Sequence, residues 1–344
     1  MKDLSVIIPA RNEVFLAQTV KHVLENIRAD TGVVAICDGC WPEPPLQDHP
    51  RLTVVHPSES IGQRAATNLG ARVSQAKYIM KLDAHCAVDE GFDVKLMADC
   101  QSDWTMIPSM YALHAFDWQC CGCGERTYQG VQPEQCAKCQ AIEHEMVLVW
   151  QPRPNRLSVS WRFDSNMQFQ YWRQHSHRPE AQGDLVETMS CIGACFFMER
   201  ERFLALGGMD DGHGSWGQFG TELACKAWLS GGKMVTCKRT WFAHLFRTGN
   251  FSRNGHSSFP YPLSQEAIDR ARAYSRELWL NDRWPLARHP LSWLVERFSP
   301  VPGWVTESDK AVELARSAAV EVGADPPQIS EDEKAKGDHA HLRT

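Results

Sequence analysis

Short apolar runs alternate with amphipathic segments along the first 90 residues of the chain. Apolar runs of strand length occupy residues 4–9, 33–37, 52–55 and 78–82. Between them, residues 14–27 and 62–73 carry apolar side chains at helical spacing, which gives each segment one apolar face. Strands that alternate with helices are typical of βαβ units. The pattern therefore predicts an α/β fold with a mostly parallel sheet flanked by helices.

Two residues with metal-binding chemistry follow the apolar run 78–82. Asp83 and His85 are one residue apart at its end. Ligands of open α/β sheets bind outside the carboxyl ends of the strands, so both side chains could bind one metal ion there. A simple turn is the alternative, because aspartate is common in turns. The spacing alone leaves both interpretations open.

Four cysteines have the spacing of a zinc site. Two Cys-x-x-Cys pairs, Cys120 with Cys123 and Cys136 with Cys139, are separated by twelve residues. This arrangement suits a tetrahedral four-thiolate zinc site, which has no open position and is structural. Unrelated reduced thiols are the alternative, and Cys121 is either spare or paired with Cys123. We expect a zinc ion that stabilises an insertion too small to have its own core.

The composition is that of a soluble globular protein. The chain has 344 residues, 43% hydrophobic and 23% charged. A net charge of -6 argues against attraction of the whole surface to nucleic acid, although it allows a local basic patch. We expect no membrane span, since no apolar run reaches about 18 residues. Thirteen cysteines without a signal-peptide layout favour reduced thiols and metal ligands. We therefore expect a cytoplasmic location, or the host cytoplasm for a viral protein.

The N-terminal motifs resemble those of GT-A glycosyltransferases. Residues 5–13 (Ser-Val-Ile-Ile-Pro-Ala-Arg-Asn-Glu), Asp38 and residues 82–86 (Leu-Asp-Ala-His-Cys) are similar to motifs of glycosyltransferase family 2 and of the polypeptide N-acetylgalactosaminyltransferases. The resemblance implies a Rossmann-like GT-A fold and a nucleotide-diphosphate sugar as donor. It also implies that Asp83 and His85 bind a divalent metal on the diphosphate. The N-terminal half contains neither a Gly-x-Gly-x-x-Gly dinucleotide fingerprint nor a Walker-type phosphate loop.

A second block resembles the same enzymes in the same order. Trp216-Gly217, Glu222, residues 228–232 and residues 243–247 (Ala-His-Leu-Phe-Arg) match their motifs. In the family the histidine of the last motif is the third protein ligand, which implies a site of Asp83, His85 and His244. Two imidazoles and a carboxylate suit Mn²⁺ better than Ca²⁺. Mg²⁺ is the alternative ion.

The resemblance also implies which residues hold the nucleotide sugar. The family's arginine before Asn68 is replaced by Thr67, and Arg64 is the candidate substitute. Arg247 is a candidate for diphosphate contact. The complete predicted set is Pro9, Arg11, Glu13, Asp38, Arg64, Asn68, Trp216 and Arg247.

The catalytic acid of the relatives has no direct counterpart. Phe219 and Gly220 stand where the relatives have an acidic residue. Inverting enzymes of family 2 use an acid of this region as general base, which removes the proton of the acceptor hydroxyl. Glu222 is the first candidate, with Asp210 and Asp211 in reserve. The sequence does not decide between inversion and retention.

Two further segments suggest contacts with an acceptor. Residues 161–177 interleave aromatic rings with cations, which suits stacking on sugars or bases, although an ordinary core mixture is favoured. A predicted helix from Ser264 to about Leu280 and the residues after it carry five arginines. Such a helix usually presents a solvated face, but it is also where an anionic acceptor would bind.

These observations predict five regions. Residues 1–117 form the nucleotide-sugar half of a GT-A domain, 118–142 a zinc-ribbon insertion and 143–260 the acceptor and metal half. Residues 261–325 form a helical C-terminal extension, and 326–344 a disordered tail.

The predicted function is transfer of a sugar, with a UDP-sugar favoured as donor, to a hydroxyl group by a hexosyltransferase-type enzyme. The acceptor is a hydroxylated base of viral or bacterial DNA, a protein or a glycan. The alternative is a catalytically degenerate GT-A scaffold that serves as a zinc-ribbon module for binding nucleic acid or protein, since the family acid is missing at Phe219 and Gly220.

Overall fold

The computed structural model describes residues 2–214, 217–246 and 264–304. The predicted donor contacts Trp216 and Arg247 and the predicted tail lie outside these residues, as does most of the segment between residue 247 and the C-terminal helix.

The first hundred residues form the strands and helices that the apolar pattern predicts, with two short additions after β4. In chain order they are β1 (Leu4–Ala10), α1 (Leu16–Asn26), β2 (Thr31–Cys37), β3 (Leu52–Val55), α2 (Gly62–Val73), β4 (Tyr78–Leu82), β5 (Cys86–Val88) and α3 (Phe92–Asp99).

The remaining described residues contain longer strands and three more helices of regular α geometry. They are β6 (Trp104–Cys120), β7 (Arg126–Tyr128), β8 (His144–Ser158), β9 (Trp161–Phe163), β10 (Phe169–Tyr171), β11 (Leu185–Glu187), β12 (Cys195–Glu199), α4 (Arg200–Ala205), α5 (Phe219–Leu229), β13 (Lys233–His244) and α6 (Gln265–Leu280). A seventh helix, α7 (Leu291–Arg297), ends the described part.

One mixed sheet organises the fold. Its strand order is β11-β13-β6-β12-β4-β1-β2-β3. The strands β4, β1, β2 and β3 are parallel to one another. β12 is antiparallel to both β4 and β6, whereas β13 is parallel to β6. The prediction of a parallel sheet therefore holds for the N-terminal half, and the complete sheet is mixed.

The parallel strands β1, β2 and β4 lie in the core of the fold. Every residue of β1, β2 and β4 is buried, as expected for strands covered on both faces. Helix α2 lies so close to β1 that a Cβ on Gly70 would be 2.4 Å from Cγ2 of Ile7. Glycine at this position lets the helix approach the strand.

A long antiparallel hairpin of β6 and β8 carries the cysteine pairs. Its register runs from Met110 opposite Ser158 to Cys120 opposite His144, with two irregularities. The short strand β7 pairs with the end of β6. The cysteine-bearing segment is therefore continuous with the main sheet through β6.

The chain divides into two units at residues 294 and 295. The first unit contains the sheet, the predicted metal ligands and the cysteine pairs. In the second, described for residues 295–304, the amide of Trp304 donates to the carbonyl of Val301 at 3.0 Å. None of the helices in the described residues has the length and apolar character needed to cross a bilayer.

Candidate active site

A cavity of about 570 Å³ opens at the carboxyl ends of the parallel strands. Its walls come from the segments after β1, β2 and β4, the loop before β12, the start of α5 and the end of β13. This is the edge where α/β sheets bind ligands, because the chain turns there and side chains converge.

Asp83, His85 and His244 lie together at this cavity. Oδ2 of Asp83 is 3.3 Å from Nε2 of His244, and the Nε2 atoms of the two histidines are 3.1 Å apart. β13 brings His244 to the site, because it pairs with β5 and places His244 opposite Cys86. The amide of Leu245 then donates to the carbonyl of His85 at 3.1 Å. Each of the three residues offers one potential ligand atom, and these three atoms lie within 4.8 Å of one another.

The three side chains fit a small divalent cation. Adjacent ligands at about 2.1 Å from a metal are separated by about 3 Å at right angles, which matches the two Nε2 atoms. Nδ1 of His85 lies 2.9 Å from Oε2 of Glu13, so this carboxylate orients the ring and leaves Nε2 for the metal. Burial lowers the pKa of His244 to about 4 and keeps the imidazole neutral, the state that a metal ligand needs.

A fully buried lysine stands behind the aspartate. Lys81 donates to the Asp83 carboxylate and, at 2.6 Å, to the carbonyl of Gly193. Burial alone would raise the pKa of Asp83, but the Lys81 ammonium and the two histidines outweigh it and hold this pKa well below its usual range. Nε2 of Gln63 also donates to Asp83, at 3.0 Å. Asp83 is thus fixed as a carboxylate facing the cavity.

Sequence reasoning missed Lys81 and Gln63, although one signal was available. Lys81 is the single charged residue within the buried strand β4, where every other residue is apolar or aromatic. A charge in such a strand requires a partner, and the nearest acid along the chain is Asp83. Gln63 occupies an ordinary helical position and gives no comparable signal.

Four of the predicted donor contacts, Pro9, Arg11, Glu13 and Asp38, line the cavity. Asp38 accepts from the amides of Ile61 at 2.6 Å and Gly62 at 3.0 Å, and from Oγ of Ser60 at 2.9 Å. These bonds hold the start of α2 against the end of β2. Asp38 therefore shapes the cavity wall whether or not it also contacts a nucleoside.

Arg64 and Glu222 lie away from the cavity, which corrects their assignment as donor contact and general base. Nε of Arg64 donates to Oε2 of Glu222 at 2.9 Å, and the two side chains are 1% and 0% exposed. The same guanidinium donates to the carbonyls of Gly214 and Gly217. A general base must reach the proton that it removes, and this carboxylate is enclosed by protein.

The other sequence candidates near this pair also have local roles. Asn68 exchanges two hydrogen bonds with the backbone of Met209, at 2.7 and 2.8 Å, and does not line the cavity. Asp210 accepts from Gly212 and from the hydroxyl of Tyr274. Asp211 is exposed on the surface. The structure brings none of the three to the cavity wall.

Phe219 and Gly220, where the resemblance led us to expect an acidic residue, line the cavity. Gly220 is tightly enclosed, because an added Cβ would be 1.9 Å from the carbonyl oxygen of Cys191. The acidic residues among the described lining residues are Glu13, Asp38 and Asp83. Each of these carboxylates already accepts hydrogen bonds or pairs with a cation. The described wall thus offers no uncommitted carboxylate.

The four predicted zinc ligands also lie together, at the end of the β6–β8 hairpin. Their Sγ atoms are all within 4.8 Å of one another, with 3.5 Å from Cys120 to Cys139 and 3.6 Å from Cys123 to Cys136. A tetrahedral zinc with bonds of about 2.3 Å separates its sulfurs by about 3.8 Å. Both pairs lie in matching turns, since Gly124 donates to the carbonyl of Cys120 and Gln140 to that of Cys136, each at 2.9 Å.

Comparisons with known proteins agree with this fold. Residues 5–112 match the family described as Glycosyl transferase family 2. The chain is 24% identical over 236 residues to polypeptide N-acetylgalactosaminyltransferase 6 of Mus musculus, covering 67% of this chain and 32% of the relative. It is 23% identical over 293 residues to the Bos taurus protein of that name, covering 80% and 42%. The crystal structure of GalNAc-T7 with UDP, GalNAc and Mn²⁺ matches 93% of this chain and 58% of that one, with a TM-score of 0.57 and 17% identity.

The structure has the GT-A fold, and the proteins that the chain resembles are glycosyltransferases. The predicted resemblance is confirmed: the chain is similar to family 2 glycosyltransferases and to polypeptide N-acetylgalactosaminyltransferases. It spans less than half the length of the two curated relatives. The likeness to GalNAc-T7, at 17% identity, is a likeness of fold.

Proposed function

We propose that the chain is a metal-dependent glycosyltransferase that moves a sugar from a nucleotide-diphosphate sugar to a hydroxyl acceptor. The observation that carries the proposal is the convergence of Asp83, His85 and His244 on one wall of the cavity at the carboxyl ends of the strands. A site for a divalent cation at this edge suits a substrate with a diphosphate, whose charge the cation would offset.

The residues of the chain have separate tasks in this proposal. Asp83, His85 and His244 would hold Mn²⁺ or Mg²⁺, which when bound stabilises the charge that develops on the departing diphosphate. Glu13 orients His85, and Lys81 with Gln63 fixes the Asp83 carboxylate. Asp38 secures the wall beside which the nucleoside would lie. A UDP-sugar is the favoured donor, by analogy with the UDP in the GalNAc-T7 structure.

A thermal-shift experiment tests the proposal directly. The purified protein is heated with UDP-, GDP-, CDP- and dTDP-sugars, each with and without Mn²⁺. We expect one nucleotide to raise the Tm only when Mn²⁺ is present, and His244→Ala to abolish this increase. His177→Ala is the control, because His177 is exposed and does not line the cavity. If no nucleotide sugar raises the Tm, the degenerate-scaffold alternative is favoured instead.

The four cysteines support a second, structural metal. We propose that Cys120, Cys123, Cys136 and Cys139 bind Zn²⁺ as thiolates and fix the end of the hairpin. A four-thiolate site has no open position for a substrate, so this zinc is assigned no catalytic role.

The charge distribution does not favour a DNA base as the acceptor. The region from residue 118 to 158, which includes the cysteine turns, has equal numbers of acidic and of Lys and Arg residues. Helix α6 itself has three acids and three arginines, so the arginines within this helix are balanced by acids. A protein that contacts DNA phosphates is expected to present an excess of cations.

A further inference from the structure

A second cavity adjoins the first between the β9–β10 hairpin and helix α6. Its volume is about 620 Å³. The two cavities share Gln168, Phe169 and Arg272 as lining residues, so they lie side by side. The remaining lining residues of the second cavity are Asp164, Asn166, Gln170, Asp269 and Arg276.

The hairpin wall is held in place by one carboxylate. Oδ1 of Asp164 accepts from the amides of Asn166 at 2.9 Å and Gln168 at 3.0 Å, and Oδ2 accepts from the side chain of Gln170 at 3.1 Å. The turn is also attached to α5, because the side chain of Gln218 donates to that of Gln168 at 3.4 Å. The polar groups of this wall are therefore positioned before any ligand binds.

The helix wall supplies two arginines one turn apart. Arg272 and Arg276 are four positions apart on α6 and face the same cavity. Arg272 pairs with Asp269 at 3.4 Å. Arg276 makes no hydrogen bond or ion pair that can be assigned within the described residues. Its guanidinium thus has donors to offer to a ligand.

The charged residues that line the second cavity indicate which kind of ligand it would bind. Two aspartates and two arginines line it, so an anion would meet as many acidic as basic groups. The remaining walls are amides and one aromatic ring, Phe169. Amides, carboxylates and guanidinium groups together donate to and accept from hydroxyl groups, and an aromatic face covers apolar C–H surface. A neutral, polyhydroxylated molecule matches this set better than a phosphate does.

We propose that the second cavity binds the acceptor, and that the acceptor is the terminal sugar of a neutral glycan. This inference rests on the proposed transferase function. In the reaction, a hydroxyl oxygen of that sugar forms a bond to the anomeric carbon of the donor in the first cavity. The bond from this carbon to the diphosphate oxygen breaks, and its electron pair leaves with the nucleoside diphosphate. The hydroxyl proton passes to an oxygen of the departing nucleoside diphosphate, so charge and atoms balance.

The first test measures binding without any donor, by saturation-transfer NMR. The probes are methyl glycosides of glucose, galactose and N-acetylglucosamine and their neutral disaccharides. A Ser/Thr peptide and an oligonucleotide with hydroxymethylcytosine serve as competing acceptor classes. We expect at least one neutral glycan to bind and the other two classes not to bind. Binding of only the peptide or only the oligonucleotide overturns the proposal, as does absence of glycan binding.

The second test compares two arginine variants of α6. Arg276→Ala removes a lining donor, whereas Arg270→Ala makes the same change at an exposed residue that pairs with Glu266 and lines neither cavity. We expect Arg276→Ala to weaken glycan binding at least fivefold and Arg270→Ala to leave it unchanged. Equal effects of the two variants contradict the proposal. Donor binding, followed by thermal shift with Mn²⁺, should be the same in both variants; a native protein that binds glycan but no donor contradicts only the proposed transferase function.

Discussion

Arg64 and Glu222 form a buried ion pair that connects helix α2 to helix α5, with 2.9 Å between Nε and Oε2. Nζ of Lys226 lies 2.8 Å from the other oxygen of Glu222, which also accepts from the amide of Asp210 at 2.5 Å. Two cations and a backbone donor thus satisfy one carboxylate in the interior. Such a group is costly to remove, because its partners are then left buried without compensation.

We therefore predict that Glu222→Gln acts on stability. The change leaves Arg64 and Lys226 without a countercharge and should lower the free energy of unfolding by about 3 kcal/mol or more. Chemical denaturation monitored by tryptophan fluorescence measures the loss. Glu201→Gln is the matched control, since Glu201 is 81% exposed beside Arg200 and should change stability by less than about 0.5 kcal/mol. A Glu222→Gln protein of native stability that has lost only turnover would restore Glu222 as the general-base candidate.

We predict that Glu13 affects metal affinity without touching the metal. Its carboxylate holds the ring of His85 at 2.9 Å, and loss of such an outer partner typically costs about 10- to 100-fold in affinity. Glu13→Gln should weaken Mn²⁺ binding by this amount, measured by electron paramagnetic resonance of free Mn²⁺. Glu25→Gln, on the exposed side of α1, is the control and should bind Mn²⁺ like the native protein. Unchanged affinity in Glu13→Gln would contradict the role of the Glu13 charge in supporting metal binding by His85.

We predict that the native protein carries about one tightly bound zinc ion per chain. Cys136→Ser should lose it, because the change removes one of the four clustered sulfurs, and the end of the hairpin should then become sensitive to proteolysis. Cys121→Ser removes an exposed neighbouring thiol outside the cluster and should retain the zinc. Elemental analysis measures the zinc content of the native protein and of the two variants. A native protein without zinc contradicts the structural-zinc proposal.

The sequence predicted those strands and site residues that can be recognised from a short stretch of the chain. β1, β2 and β4 follow from continuous apolar runs, and Asp83 and His85 follow from their place after β4. The pairing of Arg64 with Glu222 joins residues 158 positions apart, and no local periodicity reports such a contact. Glu222 stands in a familiar motif, so sequence reasoning gave it a catalytic role that only the burial of its side chain excludes. The polar cavity beside α6 likewise depends on how the hairpin and the helix pack.

The buried side chain of His175 should make the stability of the protein depend on pH. This histidine is 2% exposed and its Nδ1 lies 2.9 Å from Oγ of Ser160. Burial, together with the charge of Arg178, lowers its pKa to about 4 from an ordinary value of 6.5. Between about pH 6.5 and 4 the unfolded chain therefore binds a proton that the folded chain does not, so stability rises with pH across this window and is lost as pH falls.

Because of the lowered pKa of His175, the free energy of unfolding should fall by about 2 kcal/mol between pH 7 and pH 4.5. Because buried His213 and His244 also have lowered pKa values, the native protein alone does not isolate this contribution. We expect His175→Gln to lower stability at pH 7 but to flatten its dependence on pH, as measured by urea denaturation at both pH values. His177→Gln, at an exposed position in the same turn, should keep the native slope. Parallel pH curves for His175→Gln and the native protein would show that His175 titrates alike in the folded and unfolded chains.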